Sequence, residues 1–141
     1  MPELKAVCRA VLRDFPQALG VAVVDLETGL CLAVAHTVPY FTQAYVDVVS
    51  AIAAEYFRGH AISNLERVLS SHVGHPVMHA VREIYLMTEG TTHLMAVIPE
   101  RPNALLCVVV PRVVDPSAGQ VLLKGAMAVV APCCPAIPES R

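Results

Sequence analysis

Three histidines stand close together in the middle of the chain, at the spacing His72-x-x-His75-x-x-x-His79. Imidazoles at such short spacings are common ligands of zinc. Gly74 and Pro76 lie between them, so no preformed helix is expected to align the three rings. Neither a cysteine nor a carboxylate lies close by in the sequence. A solvated histidine-rich loop is therefore the favoured interpretation, and a metal site at these histidines is the alternative.

The five cysteines offer a second kind of chemistry. Cys133 and Cys134 are adjacent, and redox or soft-metal chemistry there would require exposed thiols with a perturbed pKa. We expect instead two small apolar residues in a loose tail. Cys8, Cys31 and Cys107 fall on predicted core faces and are expected to pack there. An odd number of cysteines without paired spacing fits reduced thiols, so a cytoplasmic location is expected.

Motifs for catalysis or nucleotide binding are absent from the sequence. It contains neither G-x-x-x-x-G-K-[ST] nor G-x-G-x-x-G, whose glycines let the backbone approach phosphates, and it lacks the G-x-S-x-G turn of serine esterases. Glu27 precedes Thr28-Gly29 and is interpreted as a turn residue. Arg82 has the chemistry of an arginine finger for a GTPase, but a solvated arginine on an edge strand is favoured. We therefore predict no catalytic residue, no cofactor and no enzymatic activity.

The composition indicates a folded domain with an interface. Apolar residues make up 55% of the 141 residues and charged residues 16%, against about 45–50% and 25% in typical domains. The net charge of −2 gives no electrostatic basis for nucleic-acid binding. No apolar segment approaches the ~20 residues of a membrane-spanning helix. The N-terminal segment also lacks the apolar core of a signal peptide, so neither membrane insertion nor secretion is expected.

The hydrophobic pattern predicts a single domain, residues 1–131, followed by a proline-rich flexible tail, residues 132–141. Helices are expected over residues 4–15 and 42–58 and from Pro116 onward, with a short helical continuation over 63–71. Strands are expected over residues 20–25, 30–35, 81–87, 92–98 and 104–110, with loops at 72–79 and 101–103. The fifth strand is continuously apolar and is expected to be central, whereas the charged third strand suits a sheet edge.

These elements predict an α/β (α+β) fold with three layers. Hairpin connections favour a five-stranded, mostly antiparallel sheet, and strands that are apolar on both sides require helices on both faces. The expected element order is helix-strand-strand-helix-strand-strand-strand-helix.

The predicted second helix has an apolar surface over about half of its circumference, wider than the ~100° stripe of a helix packed on one side. The surface is expected to contact a second copy through Tyr45, Val46, Val49, Ile52, Ala53 and Tyr56. The third strand is expected to pair with its counterpart through Arg82, Glu83, Ile84, Tyr85 and Leu86. Pairing of two sheet edges would satisfy free backbone groups, so we predict a homodimer.

The segment FPQALGVAVVDLETGL, residues 15–30, resembles the opening of Roadblock/dynein light chain domains, in which a helix leads into a hairpin of this pattern. The order of elements extends the resemblance over roughly residues 4–130. It implies a longin-like or profilin-like fold that dimerises through third strands and second helices. It further implies a non-enzymatic adaptor that binds a small Ras-like GTPase and changes its nucleotide cycle or location. The histidines after Gly59 and the proline-rich tail depart from the family pattern.

A small-molecule-sensing or signalling module of profilin-like shape is the alternative function. Small residues at Ala51, Ala53 and Ala54 would leave room for a ligand between the second helix and the sheet. The sequence shows no convergent set of polar residues that would bind such a ligand. The GTPase regulator is therefore the favoured hypothesis.

Overall fold

The computed structural model describes residues 3–134, which form four α-helices, five strands and one short 3-10 helix. The helices are α1 (Leu4–Asp14), α2 (Gln43–Arg58), α3 (His60–Val73) and α4 (Pro116–Val130), and the 3-10 helix is Ala131–Cys133. The strands are β1 (Gly20–Asp25), β2 (Leu30–His36), β3 (Glu83–Met87), β4 (Thr91–Ile98) and β5 (Arg101–Pro111). Among these helices none is both long enough and apolar enough to span a membrane.

The five strands form one sheet in the order β2-β1-β5-β4-β3, and every neighbouring pair is antiparallel. β5 is central and β3 lies at an edge, which confirms both predictions from the strand sequences. The β1–β2 hairpin turns at Gly29, whose φ of 75° is a conformation that glycine adopts without steric cost. The Asp25 carboxylate holds this turn by accepting hydrogen bonds from the Glu27 backbone N–H and the Thr28 hydroxyl.

Helices cover both faces of the sheet, which confirms the predicted three-layer α+β class. On one face, α1 and α4 bury a large cluster that includes Val7, Cys8, Val11, Leu122, Leu123 and Ala126. On the other face, α2 packs a smaller cluster through Ala53 and Phe57. Thr42 is the N-cap of α2, and its side chain accepts a hydrogen bond from the Tyr45 N–H. The cluster beneath α1 and α4 is therefore larger than the cluster beneath α2.

The third helix is longer than the sequence pattern predicts. α3 begins at His60 and includes His72, whereas the pattern predicts helix only over residues 63–71 and a loop from His72 onward. Gly59 separates α3 from α2. Only glycine fits at this position, because a Cβ would lie 2.2 Å from the Glu55 carbonyl oxygen. No residue of α3 is buried.

Two strands also begin at residues other than those predicted. β3 begins at Glu83, so Arg82 precedes the strand. β5 begins at Arg101, because a tight turn pairs Ile98 with Arg101 and extends the ladder into the predicted loop 101–103. Cys134 is 1% exposed and packs in the cluster beneath α1 and α4, so the chain contacts the domain beyond residue 131. The remainder of the predicted tail, residues 135–141, lies outside the described residues.

Candidate functional site

One stripe of α2 side chains lies next to the buried side of the helix and is only partly covered. It consists of Tyr45, Val49, Ile52 and Tyr56, whose i, i+4, i+7 and i+11 spacing keeps them on one face. None of the four is fully buried, and Tyr56 is 47% exposed. The buried side of α2 is formed by other residues: Val46, Ser50, Ala53 and Phe57.

Contacts at both flanks of α2 show which way this stripe faces. The Tyr45 hydroxyl lies 2.6 Å from Nε2 of His93 on β4, and His93 is paired with Leu86 of β3. On the opposite flank, the Ala54 Cβ lies 3.5 Å from where a Cβ on Gly29 of the β1–β2 turn would be. Tyr45, at the first turn of the stripe, therefore contacts β4, whereas the Ala54 flank faces the hairpin.

Strands β3 and β4 provide an apolar surface next to the stripe. Ile84, Leu86 and Val97 lie on the α2 side of the sheet and are only partly buried. Tyr45 of the stripe packs on the same cluster as these three residues. We call the stripe and the three strand residues together the apolar shelf. Its members are Tyr45, Val49, Ile52, Tyr56, Ile84, Leu86 and Val97.

Within residues 3–134, every second N–H group of the edge strand β3 has no partner strand. The Val97 N–H donates to the Arg82 carbonyl at 3.0 Å, and the Thr88 N–H donates to the Thr91 carbonyl at 2.8 Å. Bonded pairs recur at every second residue of an antiparallel ladder, so the even-numbered residues of β3 bond to β4. The N–H groups that point away from the sheet at this edge belong to Glu83, Tyr85 and Met87.

The structure divides the predicted interface residues into groups. Six of them belong to the apolar shelf: Tyr45, Val49, Ile52, Tyr56, Ile84 and Leu86. Val46 and Ala53 are only 7% and 1% exposed because they pack beneath α2 on their own sheet, which removes them from a candidate interface. Tyr85 packs with the α1 and α4 cluster on the opposite face. Arg82 and Glu83 are exposed at the start of the edge strand.

A buried histidine supports the wall of the apolar shelf. His93 is 3% exposed, and its Nδ1 makes no hydrogen bond of good geometry within residues 3–134. Burial lowers the pKa of His93 and raises the pKa of Tyr45. A neutral imidazole whose Nε2 accepts a hydrogen bond from the Tyr45 hydroxyl fits both shifts. The sequence analysis missed His93 because a single histidine in an apolar strand forms no recognisable motif.

We expect His93 to make folding stability fall as the pH falls below about 6.5. Above that pH the ring is neutral in both states, whereas below it the unfolded chain binds the proton first. Until the lower folded-state pKa is reached, the free energy of unfolding should fall by up to about 1.4 kcal/mol per pH unit. Urea unfolding between pH 7.5 and 5.5 measures this slope. His93→Gln should remove it, and an unchanged slope in the variant would contradict the assignment.

The three histidines of the alternative metal site lie in different local environments. His72 is in the last turn of α3, and exposed His75 has its Nδ1 3.2 Å from the Pro76 carbonyl oxygen. His79 has a left-handed backbone, with φ of 52°. Among residues 3–134, no three His, Cys, Asp or Glu side chains gather where they could hold a metal ion.

The thiols are mostly inside the domain. Burial raises the pKa of Cys8 and of Cys107 to about 12, so both are protonated at neutral pH. Burial also raises the pKa of Cys134 and of Cys31. Cys31 is half-buried, and its thiol donates to the Ala33 carbonyl. Protonated, shielded thiols are poor nucleophiles, so packing is the role that these positions support.

The sheet order and the two-sided helical cover match known structures. No protein-family model matches the sequence, and no curated protein is significantly similar to it. MglB of Myxococcus xanthus superposes with a TM-score of 0.63 at 14% identity, over 92% of this chain and 93% of that chain. A Roadblock/LC7 domain of Streptomyces avermitilis gives 0.63 at 16%, over 94% and 98%. An MglB with a tetrameric arrangement gives 0.63 at 17%, over 92% and 85%. The chain therefore has a Roadblock-like fold, as the hairpin segment implies.

Proposed function

We propose that the protein is a homodimeric, non-enzymatic regulator that binds a small Ras-like GTPase. The observation that supports the dimer is the apolar shelf beside the free edge of β3. Antiparallel pairing of two β3 edges about a two-fold axis normal to the sheet would satisfy the outward N–H groups of both chains. The same axis would bring both α2 helices to one face, where each stripe would cover the shelf of the other chain.

Exposed apolar side chains on α2 and α3 also favour self-association. Val48 of α2 is 58% exposed, and Leu65 and Val68 of α3 are 47% and 55% exposed. Contiguous apolar surface on a soluble domain is typical of a protein interface. The tetrameric arrangement of the similar MglB supports self-association of this fold.

The GTPase partner is proposed from the Roadblock-like fold and from the family that the hairpin resembles. The similar MglB and Roadblock/LC7 structures support that assignment. Catalysis of phosphoryl transfer is mainly positioning and electrostatic stabilisation. A dimer without catalytic groups of its own can therefore change the nucleotide cycle by positioning residues of its partner.

Binding to a purified Ras-like GTPase from the same source tests this proposal. The GTPase is loaded with GDP or with a non-hydrolysable GTP analogue, and binding is followed by calorimetry and GTP hydrolysis by phosphate release. We expect the dimer to bind in at least one nucleotide state. Absence of binding in every state would contradict the proposal and favour the small-molecule-sensing alternative.

Arg82→Ala distinguishes positioning from an inserted arginine. Any stimulation of hydrolysis should change by no more than about twofold, whereas loss of a true arginine finger lowers the rate by roughly 10³–10⁵. Phosphate release with the variant measures this difference, and sedimentation verifies that the variant is still dimeric. A dimeric variant without stimulation would assign Arg82 as the finger.

A further inference from the structure

A cleft of about 590 Å³ lies at the end of the sheet where β1 ends and β5 begins. Its walls are the β1–β2 turn, the C-terminal half of α2 and the loop that joins α3 to β3. This loop is held in place, because the Ala80 N–H donates to the Glu66 carboxylate and the Val77 N–H to the Ser70 hydroxyl. The volume is within the range of about 300–1,000 Å³ that is usual for small-molecule sites.

Small residues create the space in this cleft. Ala51 and Ala54 line it from α2, and Gly29 lines it from the hairpin turn. A Cβ on Gly29 would already be in van der Waals contact with Ala54, at 3.5 Å. Larger side chains at these positions would fill the cleft. The apolar floor thus suits the methylene groups of a ligand.

Two carboxylates face the cleft from opposite walls. The Glu27 carboxylate is positioned by Asn103, whose Nδ2 donates to its Oε2 at 3.2 Å. Asn103 is itself 8% exposed, and its carbonyl accepts from the Leu26 N–H at 2.8 Å. Glu55 projects from α2, and within residues 3–134 its carboxylate has no hydrogen bond or ion pair. The cleft therefore offers one oriented and one unpaired carboxylate.

Arg58 also lines the cleft but does not neutralise these carboxylates. Its guanidinium donates to the backbone carbonyls of Phe57 and Pro102. Burial lowers the pKa of Arg58, and Glu66 of α3 opposes that shift. Within the described part of the chain, no carboxylate lies at ion-pair distance from Arg58. The Arg58 guanidinium is thus bound to backbone carbonyls and forms no ion pair with Glu27 or Glu55.

An anionic ligand does not suit this cleft. The positive end of a helix attracts anions, and Gly59, the N-cap of α3, lies beside the cleft. The Glu55 side chain folds over that position, because its Oε1 would lie 2.7 Å from a Cβ on Gly59. An anionic ligand would therefore meet the carboxylates of Glu55 and Glu27 before it reached the N–H groups at the start of α3.

We propose that the cleft binds a compact organic cation with an aliphatic body, such as a diamine or a guanidino amine. Its cationic N–H groups would donate to Glu27 and Glu55, while its methylenes would lie on Ala51 and Ala54. Charge-assisted hydrogen bonds of this kind are stronger than neutral ones. The cleft and the apolar shelf lie on opposite flanks of α2, so the two sites are separate.

Calorimetric titration of the full chain with agmatine tests the cleft. One agmatine should bind per chain, and Glu27→Gln and Glu55→Gln should each weaken binding by about tenfold or more. Glu89→Gln, at the β3–β4 turn at the other end of the sheet, is the matched control and should bind normally. The uncharged 1,4-butanediol, with a similar aliphatic body, should not bind.

Ala51→Leu provides a second test, because Ala51 is exposed and its enlargement fills the cleft without entering the core. This variant should lose agmatine binding but keep the sedimentation behaviour and any GTPase binding of the unmodified protein. The proposal is overturned if agmatine fails to bind at millimolar concentration. It is also overturned if both glutamine variants bind agmatine as well as Glu89→Gln does.

Discussion

An Ile52→Glu variant is expected to sediment as a monomer at concentrations at which the unmodified protein should form the proposed dimer. Ile52 lies in the middle of the α2 stripe, and a two-fold axis would place it in the interface twice. An unpaired charge costs several kcal/mol when it is buried, so the dissociation constant should rise by more than about a thousandfold. Sedimentation velocity across a concentration series measures this change.

Val121→Glu is the matched control for this variant. Val121 is, like Ile52, a β-branched apolar residue on a helix. It is 72% exposed on α4 and lies on the opposite face of the sheet. The control should remain dimeric and bind the GTPase, whereas Ile52→Glu should lose both properties. A dimeric Ile52→Glu protein would contradict the assigned interface. A monomer that still bound the GTPase would contradict a binding surface made by two chains.

Tyr56 and Phe57 are neighbours in sequence, yet their replacement by alanine should have opposite consequences. Phe57 is 0% exposed and holds α2 on the sheet, so Phe57→Ala should lower the free energy of unfolding by about 3–5 kcal/mol. Tyr56 is 47% exposed and belongs to the apolar shelf. Tyr56→Ala should therefore change the stability of the chain itself little but weaken the dimer.

Urea unfolding and sedimentation, both at one chain concentration, separate these effects. The concentration is fixed because the stability of a dimer depends on it. Equal losses of stability in the two variants, with dimerisation unaffected in both, would contradict the rotation of α2 that the structure shows.

The order of elements could be predicted because apolar periodicity and continuity report burial directly. The central position of β5 and the edge position of β3 follow from that same signal. The sequence does not show which part of the apolar surface of α2 packs on its own sheet. Val46 and Ala53 on the buried side are as apolar as Val49 and Ile52 on the stripe. Only contacts to β4 and to the hairpin distinguish the two sides.

The start of α3 could not be predicted because the residues that look like its N-terminal cap make a different contact in the folded chain. Ser63-Asn64-Leu65-Glu66 has the pattern of a capping box, but the helix begins earlier, at His60, without a side-chain cap. The Glu66 carboxylate instead accepts a hydrogen bond from the Ala80 N–H at 2.8 Å. That contact joins residues distant in sequence, and a local sequence motif cannot predict such a contact.

The cleft was missed for the same reason. Its polar groups come from Glu27, Glu55 and Asn103, which lie on a turn, a helix and a strand. The small residues Ala51 and Ala54 were recognised in the sequence, but the carboxylates that accompany them come together only in the folded chain.

The alternation of N–H groups along β3 restricts how two copies can be aligned. Only Glu83, Tyr85 and Met87 have outward N–H groups, so an odd-numbered residue must face an odd-numbered residue of the other chain. If one β3 strand slid past the other by one residue, the outward N–H groups of one chain would face residues of the other chain that are already bonded to β4. That alignment is therefore excluded. Allowed alignments differ by two residues, or about 6.6 Å, and each keeps Ile84 and Leu86 on the α2 side. Dimers of this chain that pair through β3, as proposed, could therefore differ in alignment only by discrete steps.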